Sequence, residues 1–383
     1  MKITLQPALL EWARTRAGLS VEELAEKVGV KPETAQHWEE AGELTYVQAR
    51  KLAAKTHTPF GYLFLSKPPV EKLPIPDFRV MAGDAVGKPS TNLLDVIYQS
   101  QRRQDWFREH QQAEGAAALD FVGSVKPGDD IAQAARKMRE RLAFHPSQCA
   151  KAELTSVLNA FSEAIEATGV LVIRAGKVGD NTSRVLDPQE FRGFALADAF
   201  APLIFVNAAD YKAAQVFTLA HELAHIWMGE SALSNLNSTY APDVSIEQFC
   251  NALAAEYLVP LDDLRQKLTQ APFQGTEGLN RLRLHYRVSE LVIIRRMHDA
   301  GEISRAEFKK LYSNRLEALK EKPATGGDFH RNQPPQIGRR FGAAVVESTL
   351  EGRTLYRDAL SLLDFKKTSS FERFSQTLGF PAR

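Results

Sequence analysis

The residues with the clearest chemistry are His221-Glu222-Leu223-Ala224-His225. Two imidazoles four positions apart on a helix project about 40° from one another, so both can reach one zinc ion. Glu222 lies on a neighbouring direction, close enough to hold a zinc-bound water without ligating the metal. The flanks read as a buried helix, with Val216, Phe217, Leu219 and Ala220 before the motif and Ile226, Trp227 and Met228 after it. The bland alternative is a core helix that merely carries two hydrogen-bonded histidines.

A hydrolytic zinc site needs a third protein ligand from another element. Downstream, the stretch from Ile246 to Pro260 offers Glu247 and Glu256. On a helix, Glu247, Cys250, Asn251, Ala254 and Leu258 share a face. Glu256, about two and a half turns beyond Glu247, points the opposite way. Glu247 is therefore the expected ligand and Glu256 is expected on a solvated face. Asn251, one turn along from Glu247, is placed to hydrogen-bond a ligating histidine. Cys250 reads as a small core residue.

The chemistry follows from that set. Three protein ligands leave one coordination position open, where zinc lowers the pKa of water to about 7. Glu222 would take the proton, the hydroxide would attack a peptide carbonyl, and the glutamate would return the proton to the leaving amine. Tyr257 and Tyr240 are candidates for a further oxyanion donor. Arg192, Gly193 and Phe194 are expected on an exposed edge strand able to pair with an extended substrate.

Several elements must hold these residues. A long helix is expected from about Asp210 to Met228, closed by Gly229, and another from Ser245 to Leu258, stopped by Pro260. Strand-like runs precede them at Val170–Ile173, Phe194–Leu196 and Leu203–Val206. Further helices are expected over Leu93–Gln112, Leu154–Ala167 and 276–320, with a capping box at Ser304 and Glu307. The last fifty residues read as helical, with a mild basic bias typical of a solvated surface. Arg287-Val288-Ser289 and the helix after it look like a small helix-turn-helix, read as packing rather than a second DNA reader.

At the front, residues 1–66 read as five short helices: Pro7–Ala17, Val21–Val28, Glu33–Glu40, about Tyr46–Thr56, and Phe60–Leu65. Ser20 and Glu23 form a capping box before the second helix, and Gly29 and Pro32 bracket the turn into the third. This is the spacing of a DNA-reading helix-turn-helix, with Lys31, Thr34, Gln36 and His37 at the recognition positions. Gln36 suits adenine and Lys31 a phosphate. Eight basic and eight acidic residues cancel within this unit, and Glu33, Glu39 and Glu40 crowd the reading helix. Phosphate contacts dominate nucleic-acid affinity, so tight binding as a monomer is not expected, whereas a homodimer would match two half-sites; the sequence leaves the oligomeric state open.

The remaining 317 positions leave room for one or two further domains, and the whole chain of 383 residues carries a net charge of +1. That balance excludes a wholesale polyanion binder. Cys149 and Cys250 are too few for a disulfide framework, no run is long and apolar enough for a bilayer, and the first residues lack a secretory layout. A cytoplasmic protein without membrane partners is expected.

The chain resembles the ImmA/IrrE family of zinc-dependent metallopeptidases, in the branch fused to an N-terminal XRE-type (lambda-repressor-like) helix-turn-helix. The residues carrying the resemblance are Ser20-Val21-Glu22-Glu23-Leu24-Ala25, His37-Trp38-Glu39, Leu73-Pro74-Ile75-Pro76-Asp77-Phe78-Arg79, Phe191-Arg192-Gly193-Phe194, and Phe217-Thr218-Leu219-Ala220 leading into the His-Glu motif. Cys250-Asn251-Ala252-Leu253-Ala254, Gly338-Arg339-Arg340-Phe341 and Leu355-Tyr356-Arg357-Asp358-Ala359 extend it. The family pattern sets its third ligand four residues before that asparagine, which again falls on Glu247. Cys250 stands where the family usually has alanine, and the recognition helix is more acidic than such modules usually are.

What the resemblance implies is site-specific regulatory proteolysis of a protein partner such as a repressor, in stress response or mobile-element control. A role as an antitoxin-like regulator beside a toxin is also implied. The expected architecture is α+β and mostly helical. It comprises a five-helix module over 1–66, a proline-rich linker over 67–87, a gluzincin-like core with a small sheet and one zinc over 88–322, and a helical extension over 329–383. The rival expectation is a DNA-binding regulator or antitoxin whose zinc domain is regulatory rather than catalytic.

Overall fold

The computed structural model describes residues 1–71, 73–76, 89–149, 151–234, 245–270, 275–320 and 335–381. The fold is α+β and mostly helical. It divides into two compact units, the first holding Met1–Pro74 and the residues ending at Ile97, the second holding the stretch that starts at Ile75 together with everything from Tyr98 onward. The expected linker around Lys322–Gly327 lies outside the described residues.

In the first unit, strand β1 (Lys2–Thr4) pairs antiparallel with β2 (Glu43–Thr45). Helices α1 (Pro7–Arg16), α2 (Val21–Val28), α3 (Pro32–Ala41) and α4 (Tyr46–Lys55) surround a core that includes Leu10, Ala13, Leu24, Val28, Ala35, Trp38 and Leu52. Both halves of the Ser20–Glu23 capping box form, and α2 ends at Gly29 with φ of 80°. The expected fifth helix is a 3-10 turn over Phe60–Phe64. The β-ribbon has no signal in its three-residue strands; it depends on Gly42, whose φ is 71° and whose missing side chain leaves room for the Leu5 carbonyl. A Cβ there would lie 2.0 Å from that oxygen.

Helix α5 (Thr91–Ala113) begins in the first unit and continues into the second. The second unit adds α6 (Ile131–Leu142), α7 (Leu154–Ala167) and the strands β3 (Leu171–Ala175), β4 (Gly193–Leu196) and β5 (Leu203–Asn207). After them come α8 (Lys212–Met228), β6 (Ala232–Ser234) and α9 (Ser245–Leu258). Helices α10 (Leu261–Gln270), α11 (Gly275–Tyr286), α12 (Glu290–Asp299) and α13 (Arg305–Lys320) follow, and α14 (Arg339–Leu350), α15 (Tyr356–Leu363) and α16 (Thr368–Thr377) close the chain.

The four-stranded sheet has the order β3-β5-β4-β6, parallel between β3 and β5 and antiparallel elsewhere. Every residue of these strands is buried, which is why they read as continuous apolar runs rather than alternating ones. Helix α8 lies against β4 and β5 and packs on α9, while α7 and α14 reach β3. The C-terminal helices are tied to α5 through Arg103, whose guanidinium donates to the carbonyls of Leu362 and Gln336 and lies over the Phe341 ring.

Two expectations are overturned here. Strand β4 is not an edge: Gly193–Leu196 pairs with β5 on one side and, through Ala195, with β6 on the other. Arg192 donates its backbone N–H to the Ser234 carbonyl, and Phe194 is fully buried and stacked on Phe205 at 4.8 Å. No peptide can add to that strand, because its hydrogen-bonding groups are already used on both sides. Glu256 is not solvated either. It is 7% exposed and forms an ion pair with Arg296, a residue 4% exposed on α12. The helical face that sequence periodicity leaves free is covered by another helix. Arg287, also buried, donates to the Cys149 carbonyl, in keeping with a packing role for its segment.

Candidate metal centre

Helix α8 is buried along nearly its whole length, so its apolar residues fix its rotation and aim the two histidines at one point. Val216, Leu219, Ala220, Leu223 and Ala224 anchor it in the main core, and Gly229, with φ of 73°, ends it. Helix α9 presents Glu247 to the same point, while Cys250, Leu253 and Ala254 on α9 enter the core. The Cys250 thiol rests 3.3 Å from the Met228 sulfur, consistent with a small packed residue.

At that point the Nε2 atoms of His221 and His225 stand 3.1 Å apart. Glu247 closes the triangle, with one oxygen 3.3 Å from His221 Nε2 and the other 3.0 Å from His225 Nε2. Each of the three offers one ligand atom within 4.8 Å of the others, and all three residues are buried. Burial pushes the Glu247 carboxyl up, but the charge and hydrogen bonds of His221 and His225 outweigh it and hold the carboxyl well below its usual range. Burial lowers the His225 imidazole, with Glu247 working against it. A buried set of two facing imidazole nitrogens and a carboxylate suits a divalent metal, since a shared cation satisfies all three acceptors at once.

Glu222 is fully buried beside this triangle, and neither of its carboxylate oxygens has a hydrogen-bond partner among the described residues. Burial, and then the neighbouring Glu247, push its carboxyl well above the ordinary value, with the nearby Ser234 hydroxyl opposing. Gly193 on β4 makes the space for it. A Cβ at that position would lie 2.6 Å from Thr218 Cγ2, 2.8 Å from Glu222 Oε1 and 2.9 Å from the Phe205 carbonyl.

Sequence reasoning missed Ser234. Its hydroxyl lies 3.3 Å from His221 Nε2, delivered by β6 through the Gly193–Ser234 pairing. A serine nine residues after the motif carries no signal until a sheet brings it back. Asn251 is half-buried and makes no hydrogen bond to either imidazole. Tyr257 is not available to a substrate: its hydroxyl donates to the Phe144 carbonyl and its ring stacks on Phe161. Tyr240 lies outside the described residues. Arg192 and Gly193 are beside the centre, but as interior parts of the sheet.

In the first unit, Lys31 at the N-cap of α3 and Gln36 and His37 on it are exposed, and Thr34 is partly so. Of the acids expected to crowd this helix, Glu39 turns back onto Arg14 in a bidentate pair, at 2.6 and 2.9 Å. Gln36 donates to Glu40, so the amide and one acid occupy each other. Glu33 remains exposed near the helix start.

The two units thus define a helix-turn-helix module joined to a peptidase-like domain built around a buried His-His-Glu cluster. Comparison with protein families gives the same reading: residues 10–63 match the helix-turn-helix family, and residues 165–298 match the IrrE N-terminal-like domain of peptidase family M78. The chain thus carries a match to a helix-turn-helix family near its start and, downstream, a match to an IrrE N-terminal-like domain, in the order the sequence resemblance implies. A domain family of unknown function matches residues 337–377, the span of α14 to α16. No curated protein matched the chain. Among the described residues, no helix is long and apolar enough to cross a membrane.

Proposed function

We propose that the chain is a regulatory zinc peptidase that cuts one protein partner, such as a repressor. In this reading His221, His225 and Glu247 hold one zinc ion within a domain covering 88–322, and Glu222 is the catalytic base. The module over 1–66, reached through the connector 67–87, supplies location or partner choice, and residues 329–383 form an extension. The observation that carries the reading is the convergence of three ligand atoms within 4.8 Å, with an unpartnered buried carboxylate beside them.

Zinc held there supplies Lewis acidity that makes water a nucleophile at neutral pH. The chain's own work is to place and move protons. Glu222, raised by burial, accepts the proton of the attacking water on a carboxylate oxygen and returns it to the leaving amine nitrogen. Gly193 keeps that carboxylate in place by leaving the volume beside it empty. A structural site has no use for such a base.

The purified protein is expected to carry one equivalent of zinc by elemental analysis. Glu222→Gln should keep the zinc and lose cleavage of the protein partner, whereas His221→Ala should lose the zinc. A metal-free chain that cleaves at full rate would sink the mechanism. The second reading is a DNA-binding regulator or antitoxin, and the exposed Lys31, Gln36 and His37 favour it. Nanomolar binding to the protein's own promoter in a gel shift, with Glu222→Gln changing nothing in cells, would establish it instead.

A further inference from the structure

Among the described residues, the sheet edge beside the metal cluster belongs to β6, not β4. Strand β6 is held on its inner side by β4, with Ser234 opposite Gly193 and Leu233 opposite Phe194. Its start is fixed where the Ala197 N–H donates to the Ser231 hydroxyl, and its end where the Arg192 N–H donates to the Ser234 carbonyl. On the outer side, the Leu233 N–H donates to the Pro76 carbonyl at 3.0 Å. Ile75, just before it, is 7% exposed, while Pro74 and Pro76 on either side are exposed. Among the described residues, a strap of the chain's own backbone, Ile75–Pro76, therefore sits on the sheet edge, pinned by the buried Ile75 side chain.

The position of this edge is what gives it a role. Leu233 is the neighbour of Ser234, whose hydroxyl touches the ligand nitrogen of His221. An extended peptide paired along β6 would run past the His-His-Glu cluster, and a peptidase must receive its substrate extended. The strap itself is poorly made for permanent pairing. Pro74 and Pro76 have no N–H to give to a ladder, so neither can return a bond to β6. The Ile75–Pro76 linkage is a tertiary amide. A partner peptide with ordinary residues would make both halves of the ladder and displace it.

We propose that the outer edge of β6 is the pairing site for an extended segment of the protein partner, and that Ile75–Pro76 occupies it in the resting chain. The strap must leave before a substrate pairs. This rests on the peptidase reading, so the test includes readouts that need no catalysis.

In the full-length zinc-loaded protein, amide exchange at Leu233 is compared between wild type and Ile75→Asp, with Ile75→Ser as a gentler variant should the first also loosen α8. Leu233 is expected to exchange at least tenfold faster in the variants, with α8 unchanged. A synthetic peptide with the sequence of residues 67–76 should slow that exchange again in the variants, at concentrations at least tenfold below those needed in wild type. Turnover of fluorescein-labelled casein should rise at least fivefold. Unchanged Leu233 exchange in both variants overturns the strap, as does an equal peptide effect on variant and wild type. Equal casein turnover alongside unchanged exchange would leave the peptidase reading standing without the strap. The expected exchange and peptide effects with no casein cleavage by any form would support the strap and count against the peptidase reading.

Discussion

The smallest side chain at the centre governs the most reactive one. Gly193 has Thr218, Glu222 and a backbone carbonyl all within 2.9 Å of where a Cβ would stand, and backbone cannot move aside as a flexible side chain does. Gly193→Ala is expected to cost about 1–3 kcal/mol of stability through overpacking. It should also push the Glu222 carboxylate off its position, so cleavage should fall by more than tenfold while zinc content stays at one equivalent. Wild-type activity in a folded Gly193→Ala variant would show that the close approach is incidental. The sequence marks this glycine only as part of an expected substrate strand and of the family resemblance, not as the space beside Glu222, because that constraint comes from α8 packing across β4.

At the scale of elements, α9 is read correctly on one face and wrongly on the other. Glu247 and Glu256 point to opposite sides as helical periodicity requires, and the inward one joins the metal cluster. The other meets α12, where Arg296 pairs with Glu256 and also donates to the Val259 carbonyl and Asp299. Removing one partner of a buried pair leaves an uncompensated charge, so Glu256→Ala should lower stability by about 3–5 kcal/mol in urea unfolding. Replacing both partners, as Glu256→Leu with Arg296→Met, should recover most of that loss. A Glu256→Ala variant as stable as wild type would mean that the pair is solvated. Periodicity assigns a residue to a face of its own helix. It has no access to what a helix forty residues later lays over that face.

At the scale of the whole molecule, the C-terminal helices are held to the peptidase-like core by a carboxyl that prefers to be neutral. Glu166, at the end of α7, accepts the Arg340 backbone N–H at the start of α14 at 3.0 Å. Burial raises its pKa to about 7, although that hydrogen bond and the charges of Arg339 and Arg340 pull down and Glu163 pushes up. Arg174 on β3 is also coupled to it. A folded-state pKa above the unfolded 4.5 means that the native state holds the proton more tightly. The associated stability is fully present below pH 4.5 and is lost as pH rises through about 7, a span worth at most about 3 kcal/mol. Glu166→Gln should therefore flatten the decline in melting temperature between pH 5 and 8. A decline as steep in the variant would assign it to other groups.

Local order in the chain was sufficient for the helices, the caps, the strand runs and the three ligand candidates. Each of these depends on residues a few positions apart, and apolar periodicity or a cap reports directly on such spacing. Folding in three dimensions decided the rest: that β4 lies inside the sheet, that β6 carries Ser234 to His221, that Arg296 covers Glu256, and that Pro76 caps the remaining edge. These are pairings between segments distant in the chain, chosen by which surfaces bury each other, and a short strand or a lone serine announces no partner before it meets one.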